Sequence, residues 1–317
     1  MVVAFACNDS YINQTAISMV SLVQHNPGVE LYLISDHISI TNLDLLINIL
    51  GKLDTKVNII EADDILQDVC ISPKGRHPRT IYTKLFFDEV IDAEKILYLD
   101  SDVVITGSLE ELFERNMENE LVAGVMMPYS SDIKCKAGLA KEDPYICDGI
   151  VLLNLNKWKA MKINLICREL LSDCKGIPYM LSEGILNYVC KGFIGVLSPR
   201  YNLMPSAIYY SQKQILKIFK PDYYYNQQEL RNAVEKPLII HFMSELYNRP
   251  WFEPCDHPFR EEYRSIDRKL FGRRDYKIKN ISLQTRMNRW LYDNIPFVLY
   301  LLLYRCKHGA TQIWRRK

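Results

Sequence analysis

Residues 95–113 read KILYLDSDVVITGSLEELF, an apolar run that ends at Asp100-Ser101-Asp102. A continuous apolar run is typical of a strand buried on both faces of a parallel sheet. Upstream, residues 2–7, 30–35 and 56–61 predict strands, and residues 40–53 and 83–91 predict helices. Downstream, residues 122–126, 149–155, 194–197 and 238–241 predict short strands, and residues 183–190 predict a helix. This alternation predicts an α/β protein of the parallel, doubly wound class.

The net charge of +1 over 317 residues hides an uneven distribution. Residues 260–317 carry 15 Lys and Arg against 5 Asp and Glu, a net charge of +10, which leaves −9 for residues 1–259. A basic extension on an acidic body predicts an anionic surface or polymer as the partner of the extension. The acidic body gives no support to a nucleic-acid partner.

Cysteine usage and the N-terminus predict a cytoplasmic protein. The nine cysteines are scattered and include no C-x-x-C pair, so neither a disulfide framework nor a structural zinc site is indicated. The N-terminus lacks the basic region of a signal peptide and is interpreted as the first strand. The longest apolar run, residues 295–304, falls short of the roughly 20 residues that cross a bilayer.

Asp100 and Asp102 are candidate metal ligands. They follow a predicted strand directly, and parallel sheets bind ligands at the carboxyl ends of their strands. Carboxylates one residue apart offer the hard oxygen ligands that Mg²⁺ and Mn²⁺ prefer. The alternative is a turn or a helix cap. We favour the metal site because carboxylates among apolar residues are costly unless a cation compensates them.

Residues 95–113 resemble the signature of glycosyltransferase family 8, retaining nucleotide-sugar enzymes that include bacterial lipopolysaccharide galactosyl- and glucosyltransferases and the glycogenins. Five further segments resemble family motifs in the same order: residues 5–11, 81–86, 148–158, 183–205 and 241–251. The resemblance covers about residues 1–260. It implies a GT-A domain over residues 1–259, with a Rossmann-like, mixed and mainly parallel sheet flanked by helices. Residues 260–317 would be a basic, amphipathic C-terminal helical extension.

The resemblance also implies a metal and a donor. It places Mn²⁺ or Mg²⁺ on Asp100, Asp102 and His241, and a UDP-hexose beside them. The donor-binding positions that it indicates are Ala6, Asn8, Ser10, Tyr11, Lys84, Asp100, Ser101, Asp102 and Arg249. Taken alone, His241 would be interpreted as a packed or exposed histidine and Lys84 as a solvated helix residue. Arg249 replaces a lysine that is usual in the family, and its guanidinium can bind phosphate through two nitrogens.

Glu183 and Asp148 are the catalytic candidates that the resemblance indicates. Ser182 and Glu183 stand where many relatives have Asp and Gln, and Asp148 lies close to the usual Asn or Ser contact to the donor sugar. The alternative for Glu183 is an acid that the helix dipole favours at a helix N-terminus. Two retaining mechanisms stay open. In one, Glu183 is a nucleophile in a double displacement; in the other, the acceptor attacks the face that UDP leaves.

We therefore predict a metal-dependent retaining hexosyltransferase. It would move glucose or galactose from a UDP-sugar to a growing bacterial glycan, such as lipopolysaccharide, capsule or another cell-surface glycoconjugate. Acceptor contacts are expected in residues 127–145 and 209–226. The alternative, which Ser10, Ser182 and Ser244 allow, is a catalytically weakened member that binds UDP-sugar and metal as a non-enzymatic or regulatory module.

The C-terminal residues 286–317 combine aromatic, aliphatic and basic side chains. This combination predicts a segment that lies on the anionic inner face of the plasma membrane, where a lipid-linked glycan acceptor would be met. Pro296 is expected to divide the segment into two helices. The alternative is a helix docked on the domain.

Overall fold

The computed structural model describes residues 1–72, 77–273 and 275–314. The strands are β1 (Val2–Asn8), β2 (Glu30–Asp36), β3 (Val57–Glu61), β4 (Lys95–Leu99), β5 (Val103–Ile105), β6 (Val122–Met126), β7 (Ile146–Asn154), β8 (Ile194–Val196), β9 (Ile239–His241), β10 (Phe252–Glu253) and β11 (Lys277–Ile278). The helices are α1 (Ile12–His25), α2 (Ile40–Gly51), α3 (Ala62–Leu66), α4 (Glu110–Phe113), α5 (Ser131–Lys136), α6 (Leu155–Ala160), α7 (Ile163–Asp173), α8 (Leu181–Val189), α9 (Pro205–Tyr209), α10 (Gln212–Phe219), α11 (Gln227–Glu235), α12 (Arg260–Phe271), α13 (Leu283–Asn294) and α14 (Phe297–Trp314). Short 3₁₀ helices span Asp9–Tyr11, Arg79–Glu89 and Pro199–Tyr201.

A seven-stranded sheet with the order β3-β2-β1-β4-β7-β6-β8 forms the centre of the fold. Every strand runs parallel to its neighbours except β7, which is antiparallel to both β4 and β6. Val3 and Phe5 pack into one apolar core, and Ala4 and Ala6 into a second core on the opposite face. The predicted α/β architecture, with a mixed and mainly parallel sheet between helices, is confirmed.

One predicted element has a different form. The helix predicted at residues 83–91 is a 3₁₀ helix that spans Arg79–Glu89, with a non-helical residue at Phe86. The hydroxyl of Thr83 donates a hydrogen bond of 2.8 Å to the carbonyl of Thr80, which competes with α-helical bonding. Most of its side chains are buried, so the segment has no exposed polar face and its sequence does not alternate with an α-helical period.

A second, two-stranded sheet joins β5 and β9 in antiparallel register and pairs Val103 with His241. Buried serines of α1 hold β5 in place. Ser18 donates to the carbonyl of Val103 at 2.7 Å, and the amide of Ile105 donates to Ser21 Oγ at 3.0 Å. Hydroxyls therefore satisfy the backbone groups that β9 does not pair. As a result, the residues that follow β4 lie against the end of β9.

The basic extension begins with a helix that packs on the domain. Tyr263 and Ile266 of α12 belong to the same apolar core as β1. The chain then forms α13 and α14, with Pro296 between them, so the predicted division into two helices is confirmed. Arg274 and residues 315–317, which contribute to the predicted basic charge, lie outside the described residues. Where the structure describes the chain, it contains no helix long and apolar enough to cross a membrane.

Candidate active site

Asp100, Asp102 and His241 meet at the carboxyl end of β4. His241 Nε2 lies 3.1 Å from Asp102 Oδ1 and 3.8 Å from Asp100 Oδ2. One donor atom from each residue lies within 4.8 Å of the other two, which is close enough for a single ion to contact all three. Tyr98 donates a hydrogen bond of 2.8 Å to Asp100 Oδ1 and thereby orients that carboxylate. The structure thus brings together the three residues that were predicted to bind metal.

Asn202 stands behind His241 and was not singled out in the sequence. Its side-chain Oδ1 lies 3.1 Å from His241 Nδ1, and the residue is buried. An oxygen acceptor at Nδ1 turns Nε2 toward Asp100 and Asp102, so Nε2 is the nitrogen that would coordinate a bound ion. This is how outer residues orient metal-binding histidines. Asn202 lies within residues 183–205, which resemble a family motif, but only the folded chain shows that its partner is His241.

The electrostatics of this group favour a cation. Burial raises the pKa of Asp100, and the ammonium of Lys84 offsets part of that shift. Burial would also raise the pKa of Asp102, but His241 and Arg249 bring it below its usual value. Burial opposes the charging of His241, yet Asp102 raises the pKa of the ring well above its ordinary value. Nearby positive charge thus stabilises these carboxylates, and two carboxylates with one imidazole suit Mn²⁺ or Mg²⁺.

Gly149 provides the room for this group. A Cβ at this position would lie 2.5 Å from Asp100 Oδ2 and 2.8 Å from His241 Cε1. Its carbonyl also accepts a hydrogen bond of 2.7 Å from the amide of Asp100. The sequence placed Gly149 in a motif-like segment without giving it a role. The absence of a side chain lets two candidate ligands approach the start of β7.

Arg249 connects the metal-ligand candidates to the turn after β1. Its Nη2 lies 3.0 Å from Asp102 Oδ2, and its Nη1 donates a hydrogen bond to the hydroxyl of Tyr11. The guanidinium also lies over the Trp251 ring, 5.3 Å from its centre. Two donor-binding candidates from opposite ends of the domain, Tyr11 and Arg249, are therefore in direct contact.

The remaining first-turn candidates lie beside Tyr11. Ser10 Oγ donates to Asn8 Oδ1 at 2.7 Å, and both side chains reach solvent. Ser101 differs, because its buried hydroxyl accepts from Thr15 at 2.8 Å and lies 3.4 Å from the carbonyl of Ala6. Ala6 and Ser101 therefore join β1 to the aspartate pair, whereas Asn8 and Ser10 remain open to a ligand.

Lys84 and Asp148 form a buried ion pair next to Gly149. Lys84 Nζ lies 3.0 Å from Asp148 Oδ2 and donates to the Asp148 carbonyl at 2.8 Å. Ser182 Oγ donates to the same carboxylate oxygen at 2.6 Å. The ammonium also lies 4.1 Å from the centre of the Tyr98 ring. Lys84 is only 2% exposed, so the interpretation as a solvated helix residue is wrong.

Glu183 is held beside this pair by α8. Two non-glycine residues with positive φ stand at its N-terminus, Met180 just before the helix and Leu181 as its first residue, and Glu183 lies in the first turn. Asn187, one turn later, bonds both the amide and the carbonyl of Ile146 at 2.8 Å and thereby fixes α8 against β7. Burial raises the pKa of Glu183 well above its usual value, and the charge of Asp148 adds to the shift.

The sequence model of glycosyl transferase family 8 matches residues 2–255. The chain belongs to this family. Glycosyltransferase GlyF of Streptococcus pneumoniae is 23% identical over 270 residues, which span 84% of this chain and 61% of GlyF. An Escherichia coli lipopolysaccharide 1,2-glucosyltransferase is 24% identical over 276 residues, which span 83% of this chain and 77% of that protein. The chain therefore covers less than two thirds of GlyF.

Solved structures agree on the fold. Galactosyltransferase LgtC, in complex with donor and acceptor sugar analogs, superposes with a TM-score of 0.70 at 20% identity, over 90% of this chain and 99% of LgtC. GlyE of Streptococcus pneumoniae superposes with a TM-score of 0.61 at 22% identity, over 92% of this chain and 63% of GlyE. The protein thus has the GT-A fold that its motifs predicted.

The substitution Gly149→Ala tests the ligand group without removing a ligand. The added methyl is expected to displace Asp100 or His241 and to weaken Mn²⁺ binding by about tenfold or more, which corresponds to about 1.4 kcal/mol. Isothermal titration with Mn²⁺ measures this change. Gly51→Ala, at the end of α2 with open space around the new methyl, is the matched control. Unchanged Mn²⁺ affinity in Gly149→Ala would contradict the assignment.

Proposed function

We propose that this family member transfers glucose or galactose from a UDP-sugar to a growing bacterial glycan, with retention at the anomeric carbon. One observation carries the proposal: an unbroken set of contacts runs from Tyr11 through Arg249 and Asp102 to His241. These are side chains suited to a base, a diphosphate and a divalent ion, in that spatial order. The E. coli relative, a lipopolysaccharide 1,2-glucosyltransferase, supports both the hexose and the class of acceptor.

Departure of the diphosphate is the difficult step, because negative charge grows on its oxygens. Asp100, Asp102 and His241 would hold Mn²⁺ or Mg²⁺, which supplies Lewis-acid stabilisation of that charge. Arg249 is already oriented by Asp102 and Tyr11, so its guanidinium requires little reorganisation to contact phosphate. Preorganised positive charge of this kind favours the leaving group more than the bound donor.

The sugar of the donor would lie against Asp148 and Glu183. Lys84 and Ser182 fix the orientation of the Asp148 carboxylate. We assign Lys84 and Ser182 a positioning role, because they would direct Asp148 toward the hydroxyls of the sugar. Because burial and Asp148 raise the pKa of Glu183, its carboxyl group favours the protonated form, which is a poor nucleophile. This supports attack by the acceptor on the face that UDP leaves. Glu183 would then serve as a hydrogen-bond donor beside the reacting carbon.

The two segments expected to contact the acceptor are joined in the fold. Ser131 donates to the Asp222 carboxylate at 2.7 Å, and the hydroxyl of Tyr223 donates to the carbonyl of Glu142 at 3.3 Å. Tyr129 packs edge-on against Tyr145, with ring centres 4.9 Å apart. Burial raises the pKa of both tyrosines, and Glu183 lies near them. Tyr145 is buried, so the partly exposed Tyr129 is the ring that would contact a sugar acceptor.

The alternative, a weakened member that binds UDP-sugar and metal without turnover, rests on the serines at positions 10, 182 and 244. Ser182 bonds to Asp148, so the carboxylate it lacks is supplied from β7. This contact favours the enzyme. Release of UDP from a UDP-sugar in the presence of Mn²⁺ separates the two functions.

Asp102→Asn tests the metal-dependent chemistry. The amide keeps the shape of the side chain but removes a charge, so Mn²⁺-dependent hydrolysis of UDP-glucose and UDP-galactose is expected to fall by roughly a hundredfold. The exposed Asp173→Asn is the matched control and should retain activity. Activity of Asp102→Asn within tenfold of the unaltered protein would refute the metal assignment.

Glu183→Gln separates the two retaining mechanisms. An amide can donate a hydrogen bond but cannot form a covalent glycosyl intermediate, so turnover within about tenfold is expected, a change of about 1.4 kcal/mol in the barrier. The anomer of the product is determined by NMR and should remain the retained one. Glu169→Gln, on the exposed side of α7, controls for loss of charge. Loss of turnover by several orders of magnitude would instead support a nucleophilic Glu183.

We also propose that residues 260–317 attach the enzyme to the anionic inner face of the plasma membrane, with the protein otherwise cytoplasmic. The +10 charge of this extension supports the attachment. Large apolar side chains on α13 and α14 face solvent, among them Trp290, Val298 and Leu302, which are 60%, 67% and 53% exposed. Cations and apolar side chains together suit a membrane interface.

The membrane proposal predicts sedimentation with vesicles that contain anionic phosphatidylglycerol, and weaker sedimentation with neutral phosphatidylcholine vesicles. The double substitution Trp290→Ser with Leu302→Ser is expected to reduce binding severalfold, because buried apolar area contributes to interfacial affinity. Leu165→Ser, on α7 and 55% exposed, is the matched control. Equal sedimentation of the double variant and the control would contradict an interfacial role for these helices.

A further inference from the structure

We propose that α13 positions Arg249 for the donor, so that the C-terminal extension is part of the donor site. The inference rests on the proposed contact between Arg249 and the diphosphate. Arg249 lies in an irregular segment between β9 and β10. Such a segment has no ladder of backbone hydrogen bonds, so its conformation depends on side chains from elsewhere.

Asn248 makes the first connection between this segment and the extension. Its Nδ2 donates to the carbonyl of Pro254 at 2.9 Å and to the carbonyl of Lys279 at 2.6 Å. Its Oδ1 accepts from the amide of Arg249 at 3.1 Å. The amide of Lys279 in turn donates to the carbonyl of Glu253 at 2.9 Å. The backbone of Arg249 is therefore fastened to the chain that leads into α13.

Arg289 of α13 makes the second connection. Its Nη1 donates to the carbonyl of Leu246 at 3.2 Å, and its Nη2 pairs with the carboxylate of Asp256. The guanidinium also lies beside two tyrosine rings, 5.6 Å from the centre of Tyr209 and 5.3 Å from that of Tyr247. Its side chain is only 19% exposed, so its interactions are with the segment and the domain rather than with solvent.

The position of Arg249 depends on these contacts of Asn248 and Arg289, which we call bracing. Its guanidinium reaches Asp102 and Tyr11 from a backbone that only irregular structure supports. Within the described part of the chain, its buried Nε has no hydrogen-bond partner, so only the terminal nitrogens of the guanidinium are fixed by side-chain contacts. A displacement of about 1 Å at a group that stabilises charge is enough to cost a hundredfold in rate. Arg289 acts through the Leu246–Arg249 segment, and it is a positioning residue.

The test compares Arg289→Gln with Arg286→Gln. Both lie on α13 and lose one positive charge, but among the described residues the exposed side chain of Arg286 makes no hydrogen bond or ion pair with the segment that carries Arg249. Isothermal titration of UDP in the presence of Mn²⁺, without vesicles, is the measurement. We expect Arg289→Gln to weaken UDP binding about tenfold and Arg286→Gln to leave it unchanged. Arg289→Lys keeps the charge and should restore part of the affinity.

A double-mutant cycle distinguishes bracing from a general loss of structure. Arg249→Gln should itself weaken UDP binding, and adding Arg289→Gln should then cost little more, because the braced side chain is already absent. Additive losses, or a loss in Arg289→Gln that is matched by Arg286→Gln, would overturn the inference. If Arg289→Gln does not fold, Arg289→Lys with and without Arg249→Gln provides the same cycle.

The same measurement on Arg249→Gln distinguishes two proposals: that Arg249 contacts the donor, and that Arg289 positions Arg249. Weakened UDP binding in Arg249→Gln, together with unchanged binding in Arg289→Gln, would overturn the bracing alone. Unchanged binding in both variants would overturn the donor contact of Arg249 as well as the bracing.

Discussion

The contact between Asp102 and His241 is the interaction on which the rest of the site depends. It joins the end of β4 to the end of β9 across 139 residues of sequence. Asp102 is a buried carboxylate, and charge in a low-dielectric setting is stable only when opposite charge and hydrogen bonds compensate it. His241 and Arg249 supply that compensation at 3.1 and 3.0 Å. The same need for positive charge makes the group suitable for a divalent ion, and that ion together with Arg249 would attract a diphosphate.

The surrounding elements serve this contact in different ways. Serines of α1 hold β5 so that it pairs with β9, and Asn202 orients the ring of His241. Gly149 leaves the space that Asp100 and His241 occupy. Behind them, Lys84 orients the carboxylate of Asp148 at the place where the donor sugar would lie. The proposed metal ligands, phosphate contacts and sugar contacts thus lie together around β4 and β7, which limits how far any of them can move independently.

The C-terminal extension has two faces with different physical character. One side packs on the domain: Tyr210 and Tyr300 bring their hydroxyls within 3.2 Å, and Arg289 packs against the rings of Tyr209 and Tyr247. The other side exposes large apolar residues such as Trp290 and Leu302. The two predictions for this segment, a docked helix and a membrane-facing one, are therefore compatible. A docked helix with an apolar outer face would hold the donor site at a constant distance from a membrane.

The sequence by itself determined the fold class, the strand at residues 95–99 and the type of chemistry, because apolar runs and adjacent carboxylates are local patterns. It also indicated His241 and Arg249, through motif-like segments whose residues the fold then brought together. Only the tertiary structure decided that Lys84 pairs with Asp148, that Asn202 stands behind His241 and that Arg289 reaches the segment of Arg249. These contacts join residues far apart in the chain, and the local sequence around one residue of such a pair does not indicate the other. Burial decided them, because a charged or polar group removed from water must find a partner wherever the fold provides one.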